Sequence, residues 1–528
     1  MENPSHQGNL IIYKPYEGRV TMKRLFLFCI LGVMVVGLII AHGACALELA
    51  VADQPLTIQG YITQGAQFSI TGKDRYDSPR DLQAALTNVF LEATYTPRSD
   101  LKFYGSGMFT MDWVYDIKTS NSEWNRKQFD KSRNEGLYMD NEYWQLLKEA
   151  HVTWTPPNWN FRVGKQIVSW GEMLGFRLMD QINPLDQRRG MADVEFETSI
   201  IPIWLVKAEY FVPQKPTWMQ ELGVEFVFNP NVTFIRNQLI LGGNEYSGIW
   251  NPELDLNILP TPPFPRQKAG HTNLILDKPD AFDSQGFEYG GRIKAMIKDS
   301  VITLNYYYGL DKNPVGRVVG ATFTPRSDGL LEVNPQIKGY YPLFRYVGAT
   351  FSREFSSLRA SALGNVAPLL RLEALYAFSN TFMTSTNDLE KRDEVRWAAS
   401  VDWKVKIPWL NPRAYFAISP QFMHQRILNY PSDFNLATPG GKLYENNYMG
   451  TLNINTTYLH NKLAPSFFWM RDLTNRANMF RYQVTYDYSN EWRFTLGAVT
   501  LDGTKKGQGF ELFHNKDYMY FKISYKWG

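Results

Sequence analysis

After Trp170 the sequence gathers Glu172, Arg177, Asp180, Asn183, Asp186, Arg188 and Arg189, mixing both signs of charge over a short stretch. Such a set has two physical uses. Lining a wide passage, opposed charges make a field that selects among solutes; set against a wall, the same groups pin a loop through ion pairs and hydrogen bonds. The sequence alone leaves both readings open, and these seven residues are the pore-constriction candidates. If they line a constriction, neutralising Arg188 and Arg189 shifts selectivity toward cations.

Catalytic chemistry has fewer parts to work with. Beyond residue 46 the histidines are His151, His271, His424, His460 and His514. None belongs to an H-E-x-x-H motif, and neither a G-x-S-x-G elbow nor a Walker loop occurs. Each histidine reads as a girdle or loop residue. The two cysteines, Cys29 and Cys45, both precede residue 47, so thiol chemistry and cysteine-ligated metals are not expected downstream. With no C-x-x-C-H motif, no haem attachment is expected either. The chain reads as a non-enzyme without cofactor or metal; an enzyme would need serine, histidine and an acid converging at one rim.

The elements that would position the charged cluster are strands. From Asp517 to Trp527 the chain alternates: Met519, Phe521, Ile523, Tyr525 and Trp527 share one face, Tyr520, Lys522, Ser524 and Lys526 the other. Such a strand suits a barrel wall with one face in lipid and one toward a polar lumen, and Phe521, Ile523, Tyr525 and Trp527 are expected to form a membrane-insertion signal read by the barrel-assembly machinery. Phe480, Tyr482, Val484, Tyr486 and Tyr488 repeat the pattern, as do Trp492, Phe494, Leu496 and Ala498, and Ile302, Leu304, Tyr306, Tyr308 and Leu310. A soluble sandwich would want aliphatic inner faces; these apolar faces carry tyrosine and tryptophan near their ends, as an interfacial girdle does.

Connections alternate in length. Short turns are expected at Pro97–Asp100, Pro156–Asn158, Lys298–Ser300, Pro408–Pro412, His460–Lys462 and Ser489–Asn490. Longer connections are expected at Asp116–Tyr143, Gly171–Pro202, Asn237–Gln285, Asp311–Lys338, Asn380–Leu389 and Leu428–Asn446. Threading these gives an all-β transmembrane antiparallel β-barrel of about eighteen strands, sixteen to twenty within boundary error, with short periplasmic turns and long extracellular loops. The prolines of Asn251–Pro279 exclude a central strand or helix there; the stretch either faces solvent or folds into the lumen. Glu123–Asp140 is a second, densely charged loop.

Lys23 and Arg24 precede an apolar run from Leu25 to Ile40 and an Ala44-Cys45-Ala46 site, the pattern of a cleaved secretory signal peptide. Residues 1–46 are therefore expected to be an N-terminal extension and signal peptide, with translation starting at Met22, and residues 47–528 a single barrel domain. Leaving out Lys14, Arg19, Lys23, Arg24, Glu2 and Glu17 takes the 55 basic and 52 acidic residues to 51 and 50. A nearly neutral chain has no electrostatic footprint for nucleic acid.

Phe161-Arg162-Val163-Gly164-Lys165-Gln166-Ile167-Val168-Ser169-Trp170-Gly171-Glu172, followed by Asp180-Gln181-Ile182-Asn183-Pro184-Leu185-Asp186, resembles the proteobacterial outer-membrane family catalogued as domain of unknown function 1302, whose members show an RxGxQxVxWGE strand and then INPxD. Gly164, Gln166, Trp170, Gly171, Glu172, Asn183, Pro184 and Asp186 carry the motif. Asp283-Ser284-Gln285-Gly286-Phe287-Glu288-Tyr289-Gly290 is loosely similar to a strand start in that family. The resemblance implies a porin-like barrel in the outer membrane of a Gram-negative bacterium. It also implies a link, in some relatives, to lipid or hydrophobic-compound export.

The expectation is passage of small solutes or hydrophobic compounds, with the loop after Gly171 narrowing the barrel. The expected partners are outer-membrane lipid and lipopolysaccharide, the assembly machinery, a small-molecule or hydrophobic cargo, and a homo-oligomer or periplasmic partner. An export component working with a periplasmic partner is the alternative; lateral apolar openings or a dry lumen would favour it.

Overall fold

The computed structural model describes residues 47–70, 82–112, 147–173, 175–185, 199–230, 267–269, 273–277, 279–280, 282–313, 315–325, 331–435, 442–505, 508–514 and 516–528. Eighteen strands form the wall of one antiparallel sheet closed on itself. In chain order they are β1 Gln54–Ser69, β2 Leu86–Arg98, β3 Leu101–Asp112, β4 Glu149–Trp154, β5 Trp159–Gln166, β6 Ile203–Phe211, β7 Glu221–Asn229, β8 Glu288–Ile297 and β9 Ser300–Leu310. There follow β10 Leu343–Glu354, β11 Leu369–Thr384, β12 Leu389–Val405, β13 Phe416–Ile427, β14 Asn446–Asn455, β15 Leu463–Asp472, β16 Ala477–Asp487, β17 Trp492–Gly503 and β18 Tyr518–Trp527. Closure runs from Gly60 opposite Trp527 to Ser69 opposite Tyr518. A buried hydrogen bond between the Thr63 and Ser524 hydroxyls, 2.8 Å long, joins the two strands on the inner face.

Closure leaves no sheet edge, so every strand finds ladder partners on both sides, which a bilayer demands of backbone polar groups. The outer surface is correspondingly apolar. Phe103, Val163, Trp204, Val206, Phe226, Ile293, Leu304, Val347, Leu372, Tyr482, Val484, Leu496, Met519 and Phe521 are all exposed on it. The residues between them, such as Thr63, Glu225, Thr303, Glu373, Gln421 and Tyr520, are buried on the inside. The alternation read in the C-terminal strand is thus the alternation of the wall. No described helix is long and apolar enough to cross a membrane; strands do the crossing.

Six of the turns at the end that carries both ends of the barrel fall at the expected places, from Arg98–Leu101 to Asp487–Trp492. One expected long connection is instead a tight hairpin. β11 runs on to Thr384 and β12 starts at Leu389, with the Thr384 N–H donating to Asp388 O and Asn387 taking positive φ. The polar Asn380–Asp388 stretch reads as loop only because its strands rise above the apolar belt. Asp116–Tyr143, with Glu123–Asp140 inside it, lies wholly outside the described residues, as do Asn251–Arg266 of the proline-rich stretch.

Residues 267–269 and 273–277, also in that stretch, are short edge strands parallel to Leu331–Tyr340, whose other side pairs with Val315–Pro325. Edge positions are where proline-rich sequence is tolerated. Pro335 falls between the two edge segments, opposite no donor or acceptor of either.

Candidate functional site

Strands β4, β5 and β6 are short, and at Gln166 the chain leaves the wall and turns inward. Gly164 prepares the exit. Its φ of 134° is open to glycine, and a Cβ there would collide with the Ala150 and His151 backbone. Gln166 is fully buried, its amide donating to the Arg162 and Leu205 carbonyls.

Asn183 then ties the two legs of the loop together. Its Oδ1 accepts from Val168 N at 2.8 Å, and its Nδ2 donates to Gln166 O and Ile201 O. Pro184 O accepts from Ile201 N. These contacts give the family motif a physical content: Gly164, Gln166, Asn183 and Pro184 build the neck of an inward loop.

The loop lies along the inner wall from β6 to β14. Met173, Phe176, Leu178, Met179 and Ile182 are buried against Ile203 and Leu205 of β6, Val227 of β7, Tyr307 of β9, Phe344 and Tyr346 of β10, Leu375 of β11 and Ala398 of β12, with Met423 and Met449 beside them. At about 1.5–3 kcal/mol per buried side chain, the five loop residues contribute roughly 10 kcal/mol before the entropy of ordering the loop.

Two wall glycines admit the loop at close range. A Cβ on Gly290 would meet the Trp170 ring at 2.6 Å, and one on Gly348 would meet Met179 Cε at 2.5 Å. Trp170 is not a girdle aromatic of the wall but is 1% exposed inside the barrel. The strand stops four residues earlier because Asn183 captures Val168 N, the group that would continue the ladder.

Polar anchors fix the path. One oxygen of Asp180 accepts from Ser169 Oγ (2.9 Å), Trp170 N (2.6 Å) and Gly171 N (2.9 Å). Trp170 Nε1 donates to Glu225 Oε1 at 2.6 Å, and the other Glu225 oxygen is shared by Lys207 and Arg292, each at 3.0 Å. Oε1 of Glu373 on β11 accepts from Glu172 N and, at 2.9 Å, Met173 N. Gly175 N donates to Gln421 Oε1 on β13 at 2.9 Å, and Tyr346 donates its hydroxyl to Met179 O at 2.9 Å.

Of the seven charged-cluster residues, Arg177, Asp180 and Asn183 come together as loop-holding groups. Arg177 donates to Asn183 O at 3.0 Å; burial pushes its guanidinium pKa down and nearby Asp180 opposes that. Glu172 is half-buried, and its carboxylate has no partner among the described residues. Asp186, Arg188 and Arg189 lie outside the described residues.

Sequence reasoning missed the wall side of this site: Glu225, Arg292, Tyr346, Glu373 and Gln421. Alternation marks them as inward, but nothing in the sequence says which of many inward polar residues meet the loop. The second, weaker motif also has a structural role. Asp283 accepts from Gln285 N at 3.0 Å, closing the 3₁₀ turn Ser284–Gly286 that starts β8.

The remaining inner wall, from β15 through β18 to β5, is polar over much of its length, with Glu92, Tyr104, Arg481, Gln483 and Lys522 partly accessible. Toward the long-loop end Met470, Met479, Val499, Leu501, Phe513, Tyr518 and Tyr520 form a second apolar cluster.

The histidines do not converge. His151 stacks on Tyr104 on the lumen side, so it is neither girdle nor loop; His424 accepts from Trp397 Nε1 and donates to Asn446 Oδ1 on the outer face; His460 and His514 sit in connections, and His271 is outside the described residues. Among the described residues no cluster of three metal-ligating side chains occurs.

No curated protein matches the chain. Among solved structures it is similar to Acinetobacter baumannii OccAB1 (TM-score 0.44, 10% identity, 92% of this chain and 98% of that one). It is also similar to Salmonella typhi OmpF in complex with daunomycin (0.37, 11%, 91% and 100%) and to OmpT, an outer membrane protein of Vibrio cholerae (0.35, 10%, 91% and 100%). The family described as "Protein of unknown function (DUF1302)" matches residues 72–527. With that match over most of its length, the chain, a closed eighteen-stranded barrel whose motif turns it inward at Gln166, belongs to the DUF1302 family.

Proposed function

We propose that this barrel is an outer-membrane passage for small solutes, exported by a cleaved signal peptide and narrowed by the loop from Ile167 to Leu185. The observation that carries the reading is the loop itself. It enters the lumen at β5, reaches Gln421 on β13 through Gly175, and is buried along the wall between. A loop so placed reduces the cross-section of a barrel that eighteen strands would otherwise leave wide enough for a water-filled channel. Glu172 is its free carboxylate, and Asp186, Arg188 and Arg189 are the charges proposed to complete the constriction. Recording from the folded protein in a planar bilayer under a salt gradient tests the reading: steady conductance is expected, and a folded but silent barrel contradicts it.

One observation favours a second reading, passage of hydrophobic compounds with a periplasmic partner. An apolar pocket of about 730 Å³ opens on the wall at β3–β6, lined by Phe103, Val152, Val163, Trp204 and Val206 and bounded by Pro230 and Phe282. It sits beside the short strands where the chain leaves the wall. A silent barrel that carries alkyl cargo between membranes would select this reading.

A further inference from the structure

The lumen's charges fall into two populations. On the side that carries the loop, cations are matched. Lys207 and Arg292 share Glu225, Arg371 meets Asp402, and Arg396 meets Glu394. On the other side Lys102, Arg481 and Lys522 make no ion pair with a carboxylate among the described residues, and Arg162 has only Glu149 nearby, beyond ion-pair contact. Each adjoins an exposed outward side chain, Phe103, Val163, Tyr482 or Phe521, so strand alternation turns the cation inward.

Two acids share this side and offset part of that charge, each held by neutral donors. Glu92 accepts from Tyr104 at 2.6 Å and from Gln59, and Glu149 accepts from Ile167 N at 3.2 Å. Lys102 and Arg162 lie in one row, both in register with Thr153 of the strand between them.

Three of these cations also sit near aromatic rings, of which Phe468 and Tyr104 are partly accessible and Tyr520 is buried. Arg481 is 5.5 Å from the Phe468 ring centroid, Lys522 is 5.5 Å from Tyr520, and Lys102 is 5.9 Å from Tyr104. Gly65 leaves room for Lys522 to lie across β1, where a Cβ would touch its Cγ at 3.4 Å. An accessible ring beside a cation offers a flat apolar contact within reach of an anion's charge.

From this arrangement we infer that the wall from β15 through β18 to β5 is an anion track favouring small monovalent anions with an apolar or aromatic body. The inference rests on the passage reading above. Cations in excess over acids facing a water-filled lumen raise the local concentration of anions and repel cations. The rings add affinity for a flat apolar body that chloride cannot use.

The test is the reversal potential of the full barrel in a planar bilayer, first under a KCl gradient and then with potassium benzoate replacing chloride on one side. Anion preference is expected in KCl. Replacing Lys102, Arg162, Arg481 and Lys522 together by glutamine is expected to lower the anion-to-cation permeability ratio at least about threefold, while the folded, heat-modifiable form persists. Benzoate, tested on the unaltered chain, is expected to permeate at least as well as chloride despite its size. A cation-preferring wild type, a ratio unmoved by the four substitutions in a folded barrel, or exclusion of benzoate overturns the anion track and leaves the passage standing. Absence of current overturns both.

Discussion

Asp180 offers the sharpest perturbation of the inward loop. Its single oxygen Oδ1 holds Ser169 Oγ and the backbone N–H groups of Trp170 and Gly171, and Trp170 is almost fully buried. Asp180→Ala removes the acceptor and leaves those donors without it. Hydrogen bonds to a charged group contribute about 1.5–3 kcal/mol each, so three at the low end amount to roughly 4 kcal/mol of loop anchoring. At about 1.4 kcal/mol per tenfold, the unanchored population should rise by roughly 1,000-fold.

The chain from Leu47 onward has no cysteine, so a lone Met179→Cys substitution reports on the loop without interference. Met179 is fully buried against the wall. Maleimide labelling of that thiol in the folded barrel should accelerate by the stated factor when Asp180→Ala is added, and far less with Asp180→Asn, which keeps an acceptor oxygen. An unchanged labelling rate in a folded barrel would refute the claim that Asp180 holds the loop.

Gly348→Leu puts side-chain atoms where Met179 lies, beside the Ala374 carbonyl, and should displace the loop and raise channel conductance; equal conductance would show that the loop does not bound the passage. Trp170→Ala empties a buried site and strips Glu225 of a donor, a loss of about 3–5 kcal/mol, visible as a lower midpoint for heat-induced loss of the folded gel mobility. Deleting Tyr518–Gly528 removes every closing rung to β1 and β17 and should abolish the folded form altogether. Outside the strands, burial raises the Asp517 carboxyl above its ordinary range, opposed by the Leu501 N–H it accepts. A raised folded-state value means this group stabilises the barrel below the ordinary carboxylate range and that contribution fades as pH climbs through the raised value. Asp517→Asn should therefore flatten the fall of the heat-modification midpoint between acid and neutral pH.

The barrel was legible because strand alternation is local. Met519 and Phe521 outward, Tyr520 and Ser524 inward, needs only a period of two and a reason for one face to stay apolar. The inward loop was legible as a motif but not as geometry. Trp170 looks like a girdle residue in sequence, and only the capture of Val168 N by Asn183 shows that the strand has already ended.

The charges of the loop misdirect in a similar way. Arg177, Asp180 and Asn183 are spaced like a filter, yet their polar atoms are committed to the loop's own backbone. Their wall partners, Glu225, Glu373 and Gln421, come from strands far apart in sequence. No local pattern links them, since contact across a lumen follows from barrel closure and strand stagger. The hairpin at Thr384–Leu389 was missed for the opposite reason: above the apolar belt a strand loses its lipid-facing alternation and reads as loop.

The central claim is that the segment from Ile167 to Leu185 narrows the passage. Single-channel conductance of the barrel should be compared with that of a variant in which Met173–Asp180 is replaced by a short glycine-serine bridge, both in the same bilayer and salt. The account predicts a severalfold larger conductance for the variant with the barrel still folded; equal conductance, or two silent barrels, would contradict it.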